Sequence, residues 1–188
     1  IDFVSLEPRF TKLLFSETTK KDIYTDIAEC IDLKLSREQV KLAVLSILFG
    51  AGVKKLTQHF DQDAFEVKRQ ISKYFKVEEV SAIVESSFSD GKIVNYFGRP
   101  LVVRKNAKNV LMNNYIQSSC VDVALVGFSK LLENFSHISS VKPLAVIHDA
   151  LIVDLKKSEL QELKKIVNDG IEIEKLGKFF LEVESYEK

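Results

Sequence analysis

Two short apolar runs, residues 144–147 and 150–153, flank one polar pair formed by His148 and Asp149. Runs of this length, rich in aliphatic and β-branched residues, are typical of buried strands. The pattern therefore predicts a β-hairpin that turns at His148 and Asp149. A lone carboxylate is costly to bury, so Asp149 is either solvated, as a simple turn residue, or paired with a cation.

Apolar residues recur at helical spacing over most of the rest of the chain. Serines at positions 5, 36 and 158 are placed to cap three of the helices. Phe65 is expected to face the interior. The predicted helices cover residues 5–14, 22–31, 36–49, 60–88 (as one or two helices), 106–135 and 158–170. The other predicted strands cover residues 93–96, 101–103 and 179–183, the last of them beside the 144–153 hairpin.

The helix predicted at residues 36–49 has two different sides. One side is a stripe at four-residue steps, cationic at Arg37 and Lys41 and apolar at Leu45 and Phe49. An ordinary amphipathic helix with solvated first turns would show this pattern. A helix laid along a nucleoside triphosphate would show it too, because cations suit the phosphates and apolar side chains suit base and sugar.

Composition narrows the class of protein. The chain has 188 residues, of which 46% are hydrophobic and 29% charged, as in a globular protein. Its 27 basic and 27 acidic residues cancel, whereas a freestanding DNA-binding protein usually has a basic excess. Cys30 and Cys120 lack the spacing of a zinc site or a disulfide framework. No stretch approaches a membrane span, so we expect no membrane partner and a reducing, cytoplasmic location.

Three segments of the chain resemble motifs A, B and C of the family A DNA polymerases, the relatives of bacterial DNA polymerase I. They stand in the family's order, and the resemblance extends from Asp2 to about Val183. The motif residues are Asp2, Glu7 and Arg9 for motif A, Arg37, Lys41, Leu45, Phe49 and Gly50 for motif B, and His148, Asp149 and Ala150 for motif C.

Two further segments are similar to the same family. The turn at Gly98-Arg99-Pro100 resembles a family hairpin, and Asn113 and Gln117 resemble residues that touch the template and primer minor groove. A basic cluster at Arg104, Lys105 and Lys108 is either part of a DNA surface or a solvated loop. The DNA-binding residues that we expect are Asn113, Gln117, His148, Arg99 and Arg104.

The resemblance implies an α+β fold. Residues 1–15 and 91–188 would form a polymerase palm, with a small antiparallel sheet packed on helices, and residues 16–90 an α-helical fingers subdomain. It implies template-directed DNA synthesis, in which deoxynucleotides are transferred to a primer 3′-hydroxyl by two-metal catalysis. Two Mg²⁺ ions would be held by Asp2, Phe3 and Asp149, a use that suits paired carboxylates.

The resemblance also assigns a nucleotide site. Lys41 would act on the leaving group, and Glu7 would be a steric gate against the ribose 2′-hydroxyl. The implied nucleotide-binding residues are Glu7, Arg37, Lys41, Leu45, Phe49 and Tyr24. Five positions depart from the family pattern: Tyr24 replaces His, Leu45 an aromatic residue, Phe49 Tyr, Asn109 Arg and Ala150 Glu.

Only Ile1 precedes Asp2 in this sequence. We therefore expect the thumb and the upstream palm strands to lie on another polypeptide, and an apolar face near residues 1–4 and the motif C hairpin to be uncovered. Two other functions fit a palm fold, a non-catalytic nucleic-acid-binding or assembly subunit and a fragment of a single-subunit RNA polymerase. Retention of Asp2 and Asp149 favours a catalyst, and Glu7 and the Gln117 region favour DNA synthesis.

Overall fold

A computed structural model describes residues 1–31, 34–50, 56 and 63–185. The fold is α+β, as predicted, with helices packed around small antiparallel sheets. The helices are α1 (Leu6–Leu13), α2 (Ile23–Cys30), α3 (Arg37–Leu48), α4 (Ala64–Tyr74), α5 (Val77–Ser86), α6 (Lys108–Asn134) and α7 (Leu160–Asn168), the last preceded by a 3₁₀ turn at Lys157–Glu159. The strands are β1 (Asp2–Phe3), β2 (Lys92–Val94), β3 (Pro100–Val102), β4 (Lys142–Ile147), β5 (Ala150–Asp154), β6 (Ile171–Ile173), β7 (Gly177–Phe179) and β8 (Leu181–Glu182).

The largest sheet has the strand order β4-β5-β1-β8, and its paired strands are antiparallel. The short strand β1 therefore lies between the motif C hairpin and β8. Asp2 pairs with Ala150 on one side and with Glu182 on the other. The remaining strands form two separate hairpins, β2–β3 and β6–β7.

The long helix α6 is the centre of the core and packs against α1, α5, β2 and β6. Strand β1 is fixed to it through Phe3, whose ring lies 5.2 Å from the ring of Phe128 and 6.1 Å from that of Phe179. Gly127 makes room for this contact, since a Cβ there would lie 2.7 Å from the Phe3 ring. The contact holds Asp2, the neighbour of Phe3, at a fixed place on the sheet.

Arg9 is a buried cation that joins several parts of the fold. Its side chain has no exposed surface and donates hydrogen bonds to the main-chain oxygens of Lys20 (3.0 Å) and Lys21 (2.8 Å) and to the hydroxyl of Thr19. Its guanidinium also lies 4.6 Å from the ring centroid of Phe180. Arg9 therefore ties α1 to the loop before α2 and to the end of the central sheet.

Several predictions from the pattern were wrong. The residues of β4 are all exposed, because β4 is the edge strand and no described residue covers it. The last predicted strand is divided between β7, which pairs with β6, and β8, which pairs with β1, so β1 separates it from the motif C hairpin. Phe65 has 70% of its surface exposed. Phe60, where the fourth predicted helix begins, lies outside the described residues.

Two of the three predicted serine caps were also wrong. Ser5 precedes α1 in a left-handed conformation, with φ 53° and ψ 55°, and makes no side-chain capping bond. Ser158 lies inside the 3₁₀ turn before α7. Ser36 is confirmed, because its hydroxyl accepts from the main-chain nitrogen of Gln39 while the Gln39 side chain accepts from that of Ser36. No helix within the described ranges is both long and apolar enough to cross a membrane.

The first prediction concerns Arg9. Replacing Arg9 by Met should lower the free energy of unfolding by about 3 kcal/mol, because buried carbonyl oxygens would lose their donors. The exposed Arg69 pairs with Glu66 within α4, so Arg69→Met is a matched control that should cost less than about 0.5 kcal/mol. Urea unfolding followed by circular dichroism measures both. Equal stability of the Arg9 and Arg69 variants would contradict this account.

Candidate active site

The structure brings Asp2 and Asp149 to neighbouring positions at one end of the central sheet. The main-chain nitrogen of Phe3 donates to the carbonyl oxygen of Asp149 at 3.2 Å, and that of Leu151 donates to the carbonyl oxygen of Ile1 at 2.7 Å. These two bonds fix the register in which Asp2 faces Ala150. Two carboxylates almost 150 residues apart in sequence are thus placed side by side by strand pairing.

The tight turn between β4 and β5 contains only His148 and Asp149. His148 has a φ of 54°, in the left-handed region that two-residue hairpin turns require. His148 is exposed, whereas Asp149 is partly buried. The turn therefore places Asp149 next to β1 and leaves the histidine at the surface.

The environment of Asp2 and Glu7 disfavours the ionised form of both carboxyl groups. Burial raises the pKa of Asp2, and the charge of Asp149 raises it further. Burial also raises the pKa of Glu7, with a smaller contribution in the same direction from Asp149. The site is one where a bound cation would relieve repulsion between carboxylates.

The Oδ1 atom of Asp2 is buried and has no hydrogen-bond partner within the described part of the protein. An orphaned carboxylate oxygen beside a second carboxylate fits a hard divalent cation such as Mg²⁺. The Phe3 ring is buried in the core and has no metal-binding atom, so only its main-chain oxygen could contribute. Among the described residues no group of three or more His, Cys, Asp and Glu side chains is arranged to hold a metal. The remaining ligands would be water or phosphate.

Helix α3 presents the predicted stripe on its accessible side. Val40, Ala43, Val44, Ile47 and Leu48 are buried, whereas Arg37, Lys41 and Phe49 are exposed and Leu45 is partly so. The Nε atom of Arg37 donates to Oδ2 of Asp22 at 2.6 Å. The cationic end of the stripe is therefore already paired with the carboxylate that caps α2.

Tyr24 lies between α3 and motif A. It is almost completely buried, and burial raises the pKa of its hydroxyl. Its nearest charged neighbours include Glu7, Arg37 and Asp22. Tyr24 was predicted to bind the nucleotide, and its side chain leaves little surface for such a contact.

The predicted DNA-binding residues occupy different environments. Gln117 is exposed on α6, and the buried Oδ1 of Asn113, one turn earlier, has no partner among the described residues. His148 and Arg104 are exposed. Arg99 is committed to its own protein, since its Nε lies 3.0 Å from Oδ2 of Asp122 and its Nη2 donates to the Ser118 carbonyl oxygen at 3.0 Å.

Sequence reasoning missed two ion pairs that hold elements of the site together, Asp22 with Arg37 and Asp122 with Arg99. Asp22 was predicted only as the start of a helix, and its pairing with Arg37 depends on the packing of α2 against α3. The glycine at the end of motif B, Gly50, is a sequence signal for a tight approach between α3 and another element. Its φ of 80° and a Cβ position only 2.7 Å from the Cβ of Asn109 show why no larger residue ends motif B.

Comparison with known proteins agrees with this arrangement of motifs. The model of the family described as DNA polymerase family A matches residues 4–185. The chain belongs to this family. A DNA polymerase I of Helicobacter pylori strain J99 is 27% identical over 173 residues, which cover 82% of this chain and 19% of the relative. The thermostable DNA polymerase I of Thermus filiformis is 24% identical over 175 residues, covering 81% of this chain and 21% of the relative.

The fold of this chain is similar to that of a solved structure. The POL domain of Pol1 from M. smegmatis, in complex with DNA primer-template and dNTP, aligns with a TM-score of 0.65 and 18% sequence identity. The alignment covers 89% of this chain and 35% of that one. This chain thus spans about a fifth of the length of the curated family A relatives it matches.

The second prediction follows from the raised pKa of Asp2. Because the folded state favours the protonated carboxyl, the contribution of Asp2 to stability is lost as the pH rises through the raised pKa. At pH 7 without divalent ions Asp2→Asn should therefore raise the melting temperature. Added Mg²⁺ should stabilise the wild type and have less effect on the variant.

Differential scanning fluorimetry with EDTA and with MgCl₂ measures this difference. Asp154→Asn, in the same sheet but at the far end of β5, is the matched control and should respond to Mg²⁺ like the wild type. An equal response of Asp2→Asn and wild type to Mg²⁺ would contradict a metal at this corner.

Proposed function

We propose that this chain is the C-terminal catalytic part of a DNA-directed DNA polymerase that adds deoxynucleotides to a primer 3′-hydroxyl. The observation that carries the proposal is the meeting of Asp2 and Asp149 on paired strands, with one buried carboxylate oxygen lacking a partner. Membership of DNA polymerase family A supports it. So does the solved relative, which holds DNA primer-template and dNTP.

Asp2 and Asp149, with the main-chain oxygen of Phe3, would hold magnesium. Two bound Mg²⁺ ions would supply Lewis-acid activation of the primer hydroxyl and stabilisation of the pyrophosphate leaving group. The protein holds Asp2 in a fixed position, because β1 pairs with both β5 and β8 and packs against α6 through Phe3. Such rigidity keeps the two carboxylates together despite their repulsion.

The accessible stripe of α3 would grip the incoming nucleotide. Arg37 and Lys41 would bind the phosphates, and Lys41 would also neutralise or protonate the leaving group. Leu45 and Phe49 would contact the base and sugar. Glu7, on the first turn of α1 and close enough to Asp149 to be affected by its charge, would exclude a ribose 2′-hydroxyl.

Primer-template DNA would lie along α6 and the motif C turn. Gln117 and Asn113 supply amide groups for the minor groove, His148 lies at the exposed turn, and Arg104 supplies a cation for the backbone. We assign Arg99 an indirect part in DNA binding, because its pairing with Asp122 holds the β2–β3 hairpin on α6 next to Gln117. In this proposal residues 1–15 and 91–188 form the palm and residues 16–90 the fingers.

We also propose that polypeptide outside this chain covers β4. The exposed fractions of Leu144, Val146, Ile147 and Ile152 are 65%, 45%, 51% and 41%, which is unusual for aliphatic residues clustered on one hairpin. The edge of β4 that faces away from β5 also leaves main-chain groups open for pairing. A thumb and additional palm strands, on a separate polypeptide, would cover such a surface.

The third prediction is the direct test of this function. In primer extension by the complete polymerase with MgCl₂ and dNTPs, Asp2→Asn and Asp149→Asn should each lower the rate by about 10³-fold or more, since several kcal/mol of metal-dependent stabilisation would be lost. Binding of primer-template, measured by fluorescence anisotropy, should change little. Asp154→Asn is again the matched control and should retain activity.

Near-normal extension by either Asp2→Asn or Asp149→Asn would refute the catalytic assignment. Failure of the wild-type assembly to extend a primer, although it binds DNA, would instead favour a non-catalytic subunit. Preference for ribonucleotides would favour an RNA polymerase.

A further inference from the structure

Arg37, at the cationic end of the α3 stripe, is held by a side chain from a different helix. Its Nε atom donates to Oδ2 of Asp22 at 2.6 Å. Asp22 is the N-terminal cap of α2, and α2 packs against α3. The contact is therefore a tertiary one, and it fixes where the guanidinium of Arg37 lies relative to the start of α2.

The carboxylate of Asp22 is itself fixed by three further hydrogen bonds. Its Oδ1 atom accepts from the main-chain nitrogens of Tyr24 at 3.1 Å and Thr25 at 3.3 Å. Its Oδ2 atom, the one bound to Arg37, also accepts from the Thr25 hydroxyl at 2.9 Å. The bond from Arg37 lowers the pKa of Asp22 to about 2, so this carboxylate stays ionised at neutral pH. Asp22 is thus a fixed and charged support for Arg37.

The ring of Tyr24 gives Arg37 a second support. The guanidinium carbon of Arg37 lies 5.7 Å from the ring centroid, within the range of cation–π attraction. Tyr24 is almost completely buried, so its ring has little freedom to move. Nζ of Lys41, the other cation of the stripe, lies 6.0 Å from the same centroid. The first turn of α2 therefore interacts with both cations of the stripe.

These contacts leave the terminal edge of the Arg37 guanidinium open. A guanidinium carries five N–H donors in a planar fork, and Asp22 takes the one on Nε. Within the described ranges Nη1 and Nη2 donate no hydrogen bond, although Nη1 lies 4.0 Å from Oε1 of Glu38. The side chain of Arg37 has 47% of its surface exposed. A phosphate can therefore bind the Nη atoms without displacing Asp22.

We propose that Asp22 is a positioning residue for the incoming nucleotide, which holds Arg37 by Nε and so presents the Nη1 and Nη2 edge of its guanidinium to the triphosphate. The inference rests on the proposed function, because it adds a support to Arg37 within the same nucleotide site. Asp22 acts through Arg37 and does not touch the phosphates, which its charge would repel. A guanidinium that is already held at one edge loses less side-chain entropy when its other edge binds a phosphate.

The test uses substitutions that separate this role from helix capping. Asp22→Asn removes the charge and keeps a capping oxygen, since Asn caps helices about as well as Asp does. Arg37→Lys keeps a cation and removes the fork. Asp63→Asn is the matched control, because Asp63 caps α4, accepts from the main-chain nitrogen of Phe65 at 2.9 Å and forms no ion pair with a described residue. Single-nucleotide insertion by the complete polymerase gives kcat and KM for the dNTP with each variant.

The fourth prediction is that Asp22→Asn raises KM for the dNTP about fourfold while kcat changes by less than about twofold, because a half-exposed ion pair contributes modestly and acts here on binding. In the Arg37→Lys background the same change should have little further effect. Asp63→Asn should leave both constants unchanged. An unchanged KM for Asp22→Asn, or a full effect retained in Arg37→Lys, would overturn the proposal. A lowered KM would overturn it too, since it would show that Asp22 only competes with the phosphates for Arg37.

Binding of the dNTP to the polymerase on a dideoxy-terminated primer gives the same comparison without catalysis. The Kd for the dNTP should rise in Asp22→Asn by the same factor as KM, and the affinity for primer-template alone should not change. A parallel loss of primer-template affinity would show a general structural effect and contradict the inference. If the wild type neither binds nor inserts a dNTP, the proposed function fails and this inference fails with it. If the wild type inserts the dNTP and Asp22→Asn does so with the same KM, only this inference fails.

Discussion

The structure depends on the pairing of β1 with β5, which brings the acidic residues Asp2 and Asp149 to neighbouring positions. β1 contributes only two residues to the sheet, yet it is held on both sides, by β5 and by β8. Phe3 fastens the same strand to α6. Burial raises the pKa of Asp2, and the neighbouring charge of Asp149 raises it further, so the ionised carboxylate is unfavourable at this corner. A fold that maintains such a corner is suited to hold divalent metal ions.

The rest of the site is arranged around that corner by packing. Helix α3 buries one side against α2 and α4 and leaves its stripe accessible, so that the cations lie over the first turn of α2. Helix α6 carries Asn113 and Gln117, and the pair Arg99–Asp122 ties the loop of the β2–β3 hairpin to the same helix. The buried ring of Tyr24, at the start of α2, lies 5.7 Å from the guanidinium carbon of Arg37 and 6.0 Å from Nζ of Lys41.

Much of this could be predicted from the sequence, because the signals were local. Helical spacing located α3 and α6, two apolar runs located the motif C hairpin, and Ser36 marked the start of α3. The motif resemblance indicated which acids would meet. The predictions that were wrong concerned contacts between residues distant in sequence. The order of strands could not be read from apolar runs, and β4 has the composition of a buried strand although it lies exposed at the edge.

The supporting residues were hidden for the same reason. Ser5 has the residue type of a helix cap, yet its backbone is left-handed and its side chain makes no capping bond. Asp122 is an ordinary polar residue of a long helix until the hairpin loop brings Arg99 to it. The structural role of such a residue depends on its tertiary contacts, and these cannot be predicted from the spacing of residues along the chain.

The central claim is that Asp2 and Asp149 together bind catalytic metal. A crystal of the complete polymerase with primer-template and a non-hydrolysable dNTP, soaked in MnCl₂, tests it most directly through the anomalous signal of manganese. The account predicts a peak within coordination distance of both carboxylates, about 2.0–2.3 Å from their oxygens. A fully occupied manganese site elsewhere, with Asp2 and Asp149 turned away from it, would contradict the account.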